Sequence, residues 1–194
     1  AIIHWLRDGL QLIDSSDETQ SLAAAANAKS DVICIPAFTG LGAPHWQPHA
    51  RAALVNMNHS TSKADIVRAA LEAISHQTDD LLVALMRDMK SQGLSLEDLH
   101  LRVDGGAAEN DWLCQNLADI CACPIDRPRI TETTALGVAM LAFLHLGIFK
   151  SVADITATYT ACAQFSPEKS EAWRQHKRKV WHKALDEIIA GSGV

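Results

Sequence analysis

No apolar run in the sequence approaches the roughly 18–20 residues needed to cross a bilayer. The densest stretch, Ala135 to Leu146, is shorter and is interrupted by His145, so no membrane is expected around this chain. Excess positive charge is lacking too. Seventeen Lys and Arg stand against 23 Asp and Glu, a formal net charge of −6; such a surface repels polyanions, and nucleic acid is not an expected partner. The five cysteines, Cys34, Cys114, Cys121, Cys123 and Cys162, are odd in number and irregularly spaced in mostly apolar surroundings. That pattern argues against a disulfide framework and for reduced thiols in a cytoplasmic protein. There is no basic-then-apolar leader, no internal repeat and no low-complexity tract. An initiator Met is also missing, and the chain opens directly on the uncapped apolar segment Ala1-Ile2-Ile3-His4-Trp5-Leu6, which is expected to be part of something longer.

Metal-ligand spacing is poor. His45 and His49 are four apart, but Pro44 and Pro48 forbid the helix that would align them, and no carboxylate lies beside them in sequence. Cys121 and Cys123, even with Cys114, lack the two-to-four-residue spacing of a zinc knuckle.

What remains is 194 residues, 48% hydrophobic and 21% charged, a balance that buries a core in about one domain. Helical spacing of Ile2, Ile3, Leu6, Leu10 and Ile13 predicts a first helix, and Ser15-Ser16-Asp17-Glu18 starts a second that ends near Asn27. Val32–Ile35 and Ala53–Met57 read as strands around a long Gly/Pro loop, Pro36–Pro48. Ser62 caps a long helix with a buried stripe at Ile66, Ala70, Ile74, Thr78, Leu81, Leu85 and Met89, stopped by Gly93. A strand at His100–Val103 follows, then the turn Asp104-Gly105-Gly106-Ala107 and a helix carrying Trp112, Leu113, Leu117 and Ile120. A short segment around Pro124–Asp126 precedes a nearly all-apolar helix over Thr134–Leu146 and a weaker one near Ala153. Glu168–Ile188 is a polar helix anchored by Trp173, Val180, Trp181, Leu185 and Ile188. Its basic residues Arg174, Lys177, Arg178, Lys179 and Lys183 read as a solvated face. Strands alternating with more numerous helices predict an α/β domain with a partly parallel sheet covered on both faces.

The strand–glycine turn–helix unit at 100–120 is the sharpest chemical signal. Paired glycines leave no Cβ to obstruct a planar ligand, and the following helix start offers unpaired N–H groups to an anion. The same pair also serves ordinary folding, and both readings stay open. Neither the Rossmann fingerprint nor the P-loop is matched, so those two nucleotide folds are excluded. Thr133 and Thr134 offer hydroxyls to a phosphate or to the start of the apolar helix, and N-capping is the reading favoured by residue preference.

Four ordered segments carry a resemblance. Pro36–Pro48 (PAFTGLGAPHWQP), Ala52–Met57 together with Asp65–Glu72 (DIVRAALE), Arg102–Ala107 (RVDGGA) with Asn110, and Glu132–Gly137 (ETTALG) resemble the FGGY carbohydrate kinases in order and spacing. Gly40–Trp46 is similar to the branch that phosphorylates glycerol. The resemblance covers nearly the whole chain and implies an actin-like, ribonuclease-H-like ATPase domain, a mixed sheet flanked by helices. It implies that residues 1–194 are the C-terminal, nucleotide-binding domain, with 165–194 a helical tail and the N-terminal domain absent. Gly105, Gly106 and Ala107 would then lie against ATP or ADP, Asn110 would bond the adenine, and Ile3 and His4 would border base and ribose. His4 stands where bacterial members carry Gln, and Asn56 where the family signature has Gly.

The implied reaction, with Mg²⁺ on the phosphates, moves the γ-phosphoryl group of ATP to glycerol and gives sn-glycerol 3-phosphate. In this family the glycerol pocket, the Asp that takes the hydroxyl proton and an Asp-x-Gly-Thr phosphate loop belong to the N-terminal domain. No Asp-x-Gly-Thr occurs here, so these residues alone are expected to be inactive. Homo-oligomerisation is expected from the resemblance. The alternatives are a kinase for another polyol or sugar, or a non-catalytic actin-like interaction module.

Overall fold

The computed structural model describes residues 1–94, 99–158 and 161–192. Residues 193–194, the end of the expected tail, lie outside them. The chain opens with α1 (Ile2–His4), which runs directly into a π-helical turn over Trp5–Gly9. There the Leu10 N–H reaches the Trp5 carbonyl at 2.8 Å, and the Trp5 ring packs on Phe38 with centroids 5.1 Å apart. Helix α2 (Glu18–Ala25) then leads to β1 (Ile33–Ile35), which pairs antiparallel with β2 (Ala53–Val55).

The loop between those strands explains its own glycine. At Gly40 φ is +89° and a Cβ would stand 2.7 Å from the Pro48 carbonyl oxygen, so the loop closes only without a side chain there. His45 of the same loop sits 3.0 Å from Asp80: the carboxylate that its sequence neighbours do not supply arrives from a helix 35 residues away.

Helix α3 (Lys63–Ser91) starts at a full capping box. The Ser62 hydroxyl accepts from the Asp65 N–H, and the Asp65 carboxylate accepts from the Ser62 N–H at 2.9 Å and the Asn27 N–H at 2.9 Å. Burial alone would raise the Asp65 pKa, but these donors hold it below the usual carboxylate range. The expected apolar stripe is only half right. Ala70 is buried, whereas Leu81 and Leu85 are exposed. The face that is covered carries Arg68, Glu72, His76, Asp79 and Asp80.

Arg68 is taken by the Asn27 and Ser30 carbonyls, and the other four are met by α7 (Glu171–Gly191). Lys177 reaches both Glu72 oxygens at 2.9 Å, and Arg178 grips Asp79 with two bonds of 2.7 Å. Asp80 accepts from Trp181 Nε1 at 2.9 Å and pairs with His182 at 2.8 Å. Three of the five basic residues read as a solvated face are therefore committed: Arg174 is buried, and Lys177 and Arg178 are ion-paired across the helix interface. The hydropathy pattern of α7 reports its Trp181 and Leu185 anchors but not the buried acids that wait opposite its cations.

The second sheet is mixed. β3 (Leu101–Arg102) pairs parallel with β4 (Ile125–Pro128), and β4 pairs antiparallel with β5 (Ala161–Phe165), a strand the sequence pattern does not announce. Between β3 and β4 come a 3-10 turn at Gly106–Glu109 and α4 (Asp111–Cys121). Helix α5 (Thr133–His145) and the short α6 (Val152–Ala157) precede β5, and neither buries a residue. Two apolar clusters form the core. One joins α1, β1, α3 and α7 around Leu6, Ile35, Ala70 and Trp181; the other joins α3, α4 and the β3–β4 sheet around Leu71, Leu117 and Ile125. Among the described residues no helix is long and apolar enough to cross a membrane.

Candidate functional site

β3 ends at Arg102, and the chain turns through Gly105 with φ +76° and ψ 174° before entering the 3-10 turn. That φ explains Gly105 as folding chemistry. Gly106 is different: its φ is not in the left-handed region, and a Cβ built on it meets nothing within 4 Å. No internal contact asks for glycine at 106, in contrast to Gly40. The turn is also reachable, with Gly106 and Ala107 exposed and Gly105 half-buried.

Several bonds from distant elements hold this turn. The Gly105 N–H donates to the Thr131 carbonyl at 2.8 Å, Thr131 Oγ1 donates to Glu109 at 3.1 Å, and Thr133 Oγ1 donates to Asp104. The capping role expected of Thr133 and Thr134 is thus not the one found. Glu132 occupies the N-cap position of α5 with no side-chain cap, and the Thr133 hydroxyl is engaged by Asp104 instead. Below the turn, Arg127 of β4 donates to the Ala108 carbonyl at 2.9 Å and to Asp111 at 2.7 Å. The Arg127–Asp111 pair helps keep that guanidinium charged against the opposing effect of burial.

Asn110 is the N-cap of α4. Its Oδ1 accepts from the Leu113 N–H at 2.9 Å, and its Nδ2 donates to Thr19 Oγ1 of α2 at 3.0 Å. An amide nitrogen carries two hydrogens, so one remains beyond these partners. Gln20, next to Thr19, accepts from the Asp111 N–H at 2.8 Å, which seats α2 against the start of α4. Ile3 packs on the same cluster that receives Val103 and Trp112, while His4 is exposed at the end of α1. Gly105, Gly106, Ala107 and Asn110 therefore form one continuous bend, while Ile3 packs on the apolar cluster that contains Leu113 and Leu117 of α4.

Arg127, Thr19 and Thr131 belong to the site without any local sequence signal. Each acts on a residue between 19 and 91 positions away, and spacing arguments reach only neighbours on one element. Four of the five thiols are buried and take no part in the bend's chemistry as nucleophiles. Burial pushes Cys34 up to about 12 and raises Cys114, Cys121 and Cys123, which keeps them protonated and inert at neutral pH.

Strand β3, the open bend at 105–107 and α4 make a mixed α/β unit in which Gln20 and Asn110 already take the Asp111 and Leu113 N–H groups of the helix start. Residues 1–146 match the family described as FGGY family of carbohydrate kinases, C-terminal domain, and the chain belongs to that family. It is 45% identical over 189 residues to a glycerol kinase of Rhizobium meliloti and 48% identical over 189 residues to one of Dechloromonas aromatica. Each alignment covers 97% of this chain and 37% of the relative, so the chain spans little more than a third of the curated relatives it matches. Among solved structures, Plasmodium falciparum glycerol kinase with ADP superposes with a TM-score of 0.81 at 33% identity, covering 95% of this chain and 36% of that one. The ligand-bound xylulose kinase from Lactobacillus acidophilus superposes with a TM-score of 0.80 at 22% identity, covering 99% of this chain and 38% of that one, a likeness of fold alone. The fold is the actin-like, ribonuclease-H-like ATPase domain of these kinases.

Proposed function

We propose that residues 1–194 form the C-terminal, nucleotide-binding domain of a cytoplasmic glycerol kinase, with 165–194 as its tail. The observation that carries the reading is Gly106, a glycine that no contact within the chain requires, on an open bend. In this reading Gly105, Gly106 and Ala107 lie against the ribose and base, Ile3 and His4 border them, and the remaining Asn110 N–H bonds the adenine. Arg127, Thr131 and the Asp104–Thr133 bond hold the bend in place, so it need not reorganise when the nucleotide arrives. ATP supplies the γ-phosphoryl group. Glycerol and the group that takes its hydroxyl proton are bound by chain outside these residues. Mg²⁺ comes with the phosphates: among the described residues no three His, Cys, Asp or Glu side chains converge on a metal position, so no residue here is assigned to the ion. Homo-oligomerisation is part of the same proposal.

The test is Gly106→Val in the complete enzyme. Because the new side chain meets open space inside the chain, folding is expected to be kept while the bend is blocked. The expected result is a KM for ATP raised about tenfold or more, the equivalent of ~1.4 kcal/mol, with the KM for glycerol changed far less. Equal changes in both would remove the bend from the nucleotide site.

A further inference from the structure

Helix α2 buries two residues, Thr19 and Ala23. Ala23 joins the apolar cluster that contains Leu113 and Leu117 of α4. Thr19, 3% exposed, is the polar one, and its hydroxyl is committed on both sides. Its single hydrogen goes to the Ser16 carbonyl at 2.6 Å, so the oxygen can only accept towards Asn110, whose Nδ2 donates to it at 3.0 Å from 91 positions away.

The start of α2 holds that hydroxyl in place. The Glu18 carboxylate accepts from the Asp14 N–H at 2.8 Å and the Ser15 N–H at 3.0 Å, and the Ser16 carbonyl also takes the Thr19 N–H at 3.1 Å. Gln20 takes the Asp111 N–H at 2.8 Å. Helix α2 is thus seated on α4 through Gln20 and Ala23, by contacts that do not involve the Thr19 hydroxyl.

The Asn110 amide needs a second anchor. The torsion that turns a side-chain amide about its Cβ–Cγ bond has no sharp minimum. One bond at Oδ1, from the Leu113 N–H at 2.9 Å, therefore leaves the amide plane free to swing, and the bond from Nδ2 to Thr19 stops it. The polarity is fixed as well. Turned over, the amide would set its hydrogens against the Leu113 N–H and its oxygen against the Thr19 oxygen, two repulsions in place of two bonds. Among the described residues no acceptor takes the second Nδ2 hydrogen, and Asn110 is half-buried at the open bend.

We propose that Thr19 is a positioning residue for the nucleobase: by holding the plane and polarity of the Asn110 amide, it keeps one N–H aimed at an acceptor atom of the base before the nucleotide arrives. This role rests on the nucleotide reading of the bend. An interaction with the base lies away from the phosphoryl group that moves, so its loss falls on the ATP requirement and not on turnover.

The test is a double-mutant cycle in the complete enzyme. Thr19→Val keeps the shape and removes the hydroxyl; Asn110→Ser keeps an N-cap oxygen and removes the amide hydrogens. Thr19→Val is expected to raise the KM for ATP about fivefold, the weight of one hydrogen bond, with kcat and the KM for glycerol within about twofold of the parent. Thr19→Ser, which restores the hydroxyl, is expected to return the KM for ATP to the parent value. Asn110→Ser is expected to raise that KM about fivefold or more, and adding Thr19→Val to it is expected to change it by less than about twofold, because the group through which Thr19 acts is gone. A bond that merely supports the fold would act in both backgrounds. If Asn110→Ser raises the KM for ATP while Thr19→Val raises it by the same factor with and without the amide, or lowers the thermal midpoint with that KM unchanged, the positioning role is overturned and the nucleotide reading stands. An unchanged KM for ATP in Asn110→Ser would take Asn110 away from the base and this role with it, and Gly106→Val then reports separately on the bend.

Discussion

Helix α5 is nearly all apolar and buries none of its residues, whereas α3 carries charged groups along its length and buries thirteen residues, six of them ionisable: Asp65, Arg68, Glu72, His76, Asp79 and Asp80. In α5, Val138 and Leu141 are 64–66% exposed, and Leu146 at its C-cap is 70% exposed. The difference teaches that burial follows from what stands opposite. α3 meets α2, α4 and β1 as well as the Lys177, Arg178, Trp181 and His182 row of α7, which answers its acids one by one. No described element offers α5 a comparable partner surface, so its hydropathy goes unused within these residues.

The sharpest way to break this comparison is to remove the centre of the α3–α7 seam. Trp181 is 1% exposed, stacks on His76 with centroids 4.9 Å apart and 8° between planes, and donates to Asp80. Trp181→Ala opens a large cavity and takes one donor from a buried carboxylate. The expected loss is about 3–5 kcal/mol in a urea unfolding curve. A loss below ~1 kcal/mol would mean that the seam is incidental to stability.

The next effect is smaller and depends on pH. Burial, with the nearby Lys177 charge assisting, lowers His76 to about 3, so the folded state stays neutral there while the unfolded chain takes a proton below its ordinary pKa near 6.5. Stability is therefore expected to fall as pH drops from 6.5 towards 3, by up to ~1.4 kcal/mol per pH unit from this group. His182 runs the other way. Its bond to Asp80 raises its pKa, so its contribution is present below 6.5 and is lost as pH climbs through the raised value. His76→Phe, which retains a ring against Trp181, is expected to flatten the acid limb of midpoint against pH while leaving the alkaline limb intact. An unchanged acid limb would place the acid sensitivity elsewhere on the seam, with Asp80 first in line because its partners hold it ionised against burial.

The same contrast marks what was legible in the sequence. The capping box at Ser62, both strands around the Gly/Pro loop, the Asp104–Ala107 bend and the extent of α5 follow from local chemistry, and local chemistry is visible in a window of a few residues. The Asp80 hub is not, because His45, Trp181 and His182 lie 35 to 102 positions from it. Strand β5 escapes for a related reason: Ala161–Phe165 has little alternation of its own, and pairing with β4 defines it. Within the candidate site, Gly105, Gly106 and Asn110 could be picked out by type and spacing. For Thr133 the residue class points to capping, and its bond to Asp104 joins segments 29 positions apart, which no local window shows.

The smallest effect belongs to α5. Leu141 is 64% exposed in the middle of the helix, so Leu141→Ser removes little buried area and leaves no cavity. Within this chain the expected change is about 0.5 kcal/mol or less, the size of an ordinary surface substitution with a modest helix-propensity cost. The measurement is the same urea curve used for Trp181→Ala, run at two protein concentrations so that association through exposed apolar surface registers as a concentration-dependent midpoint. A loss of 2 kcal/mol or more, independent of concentration, would show that α5 packs against this chain as α3 does and would erase the contrast. A midpoint that barely moves while the concentration dependence shrinks fits a helix whose apolar face is surface here.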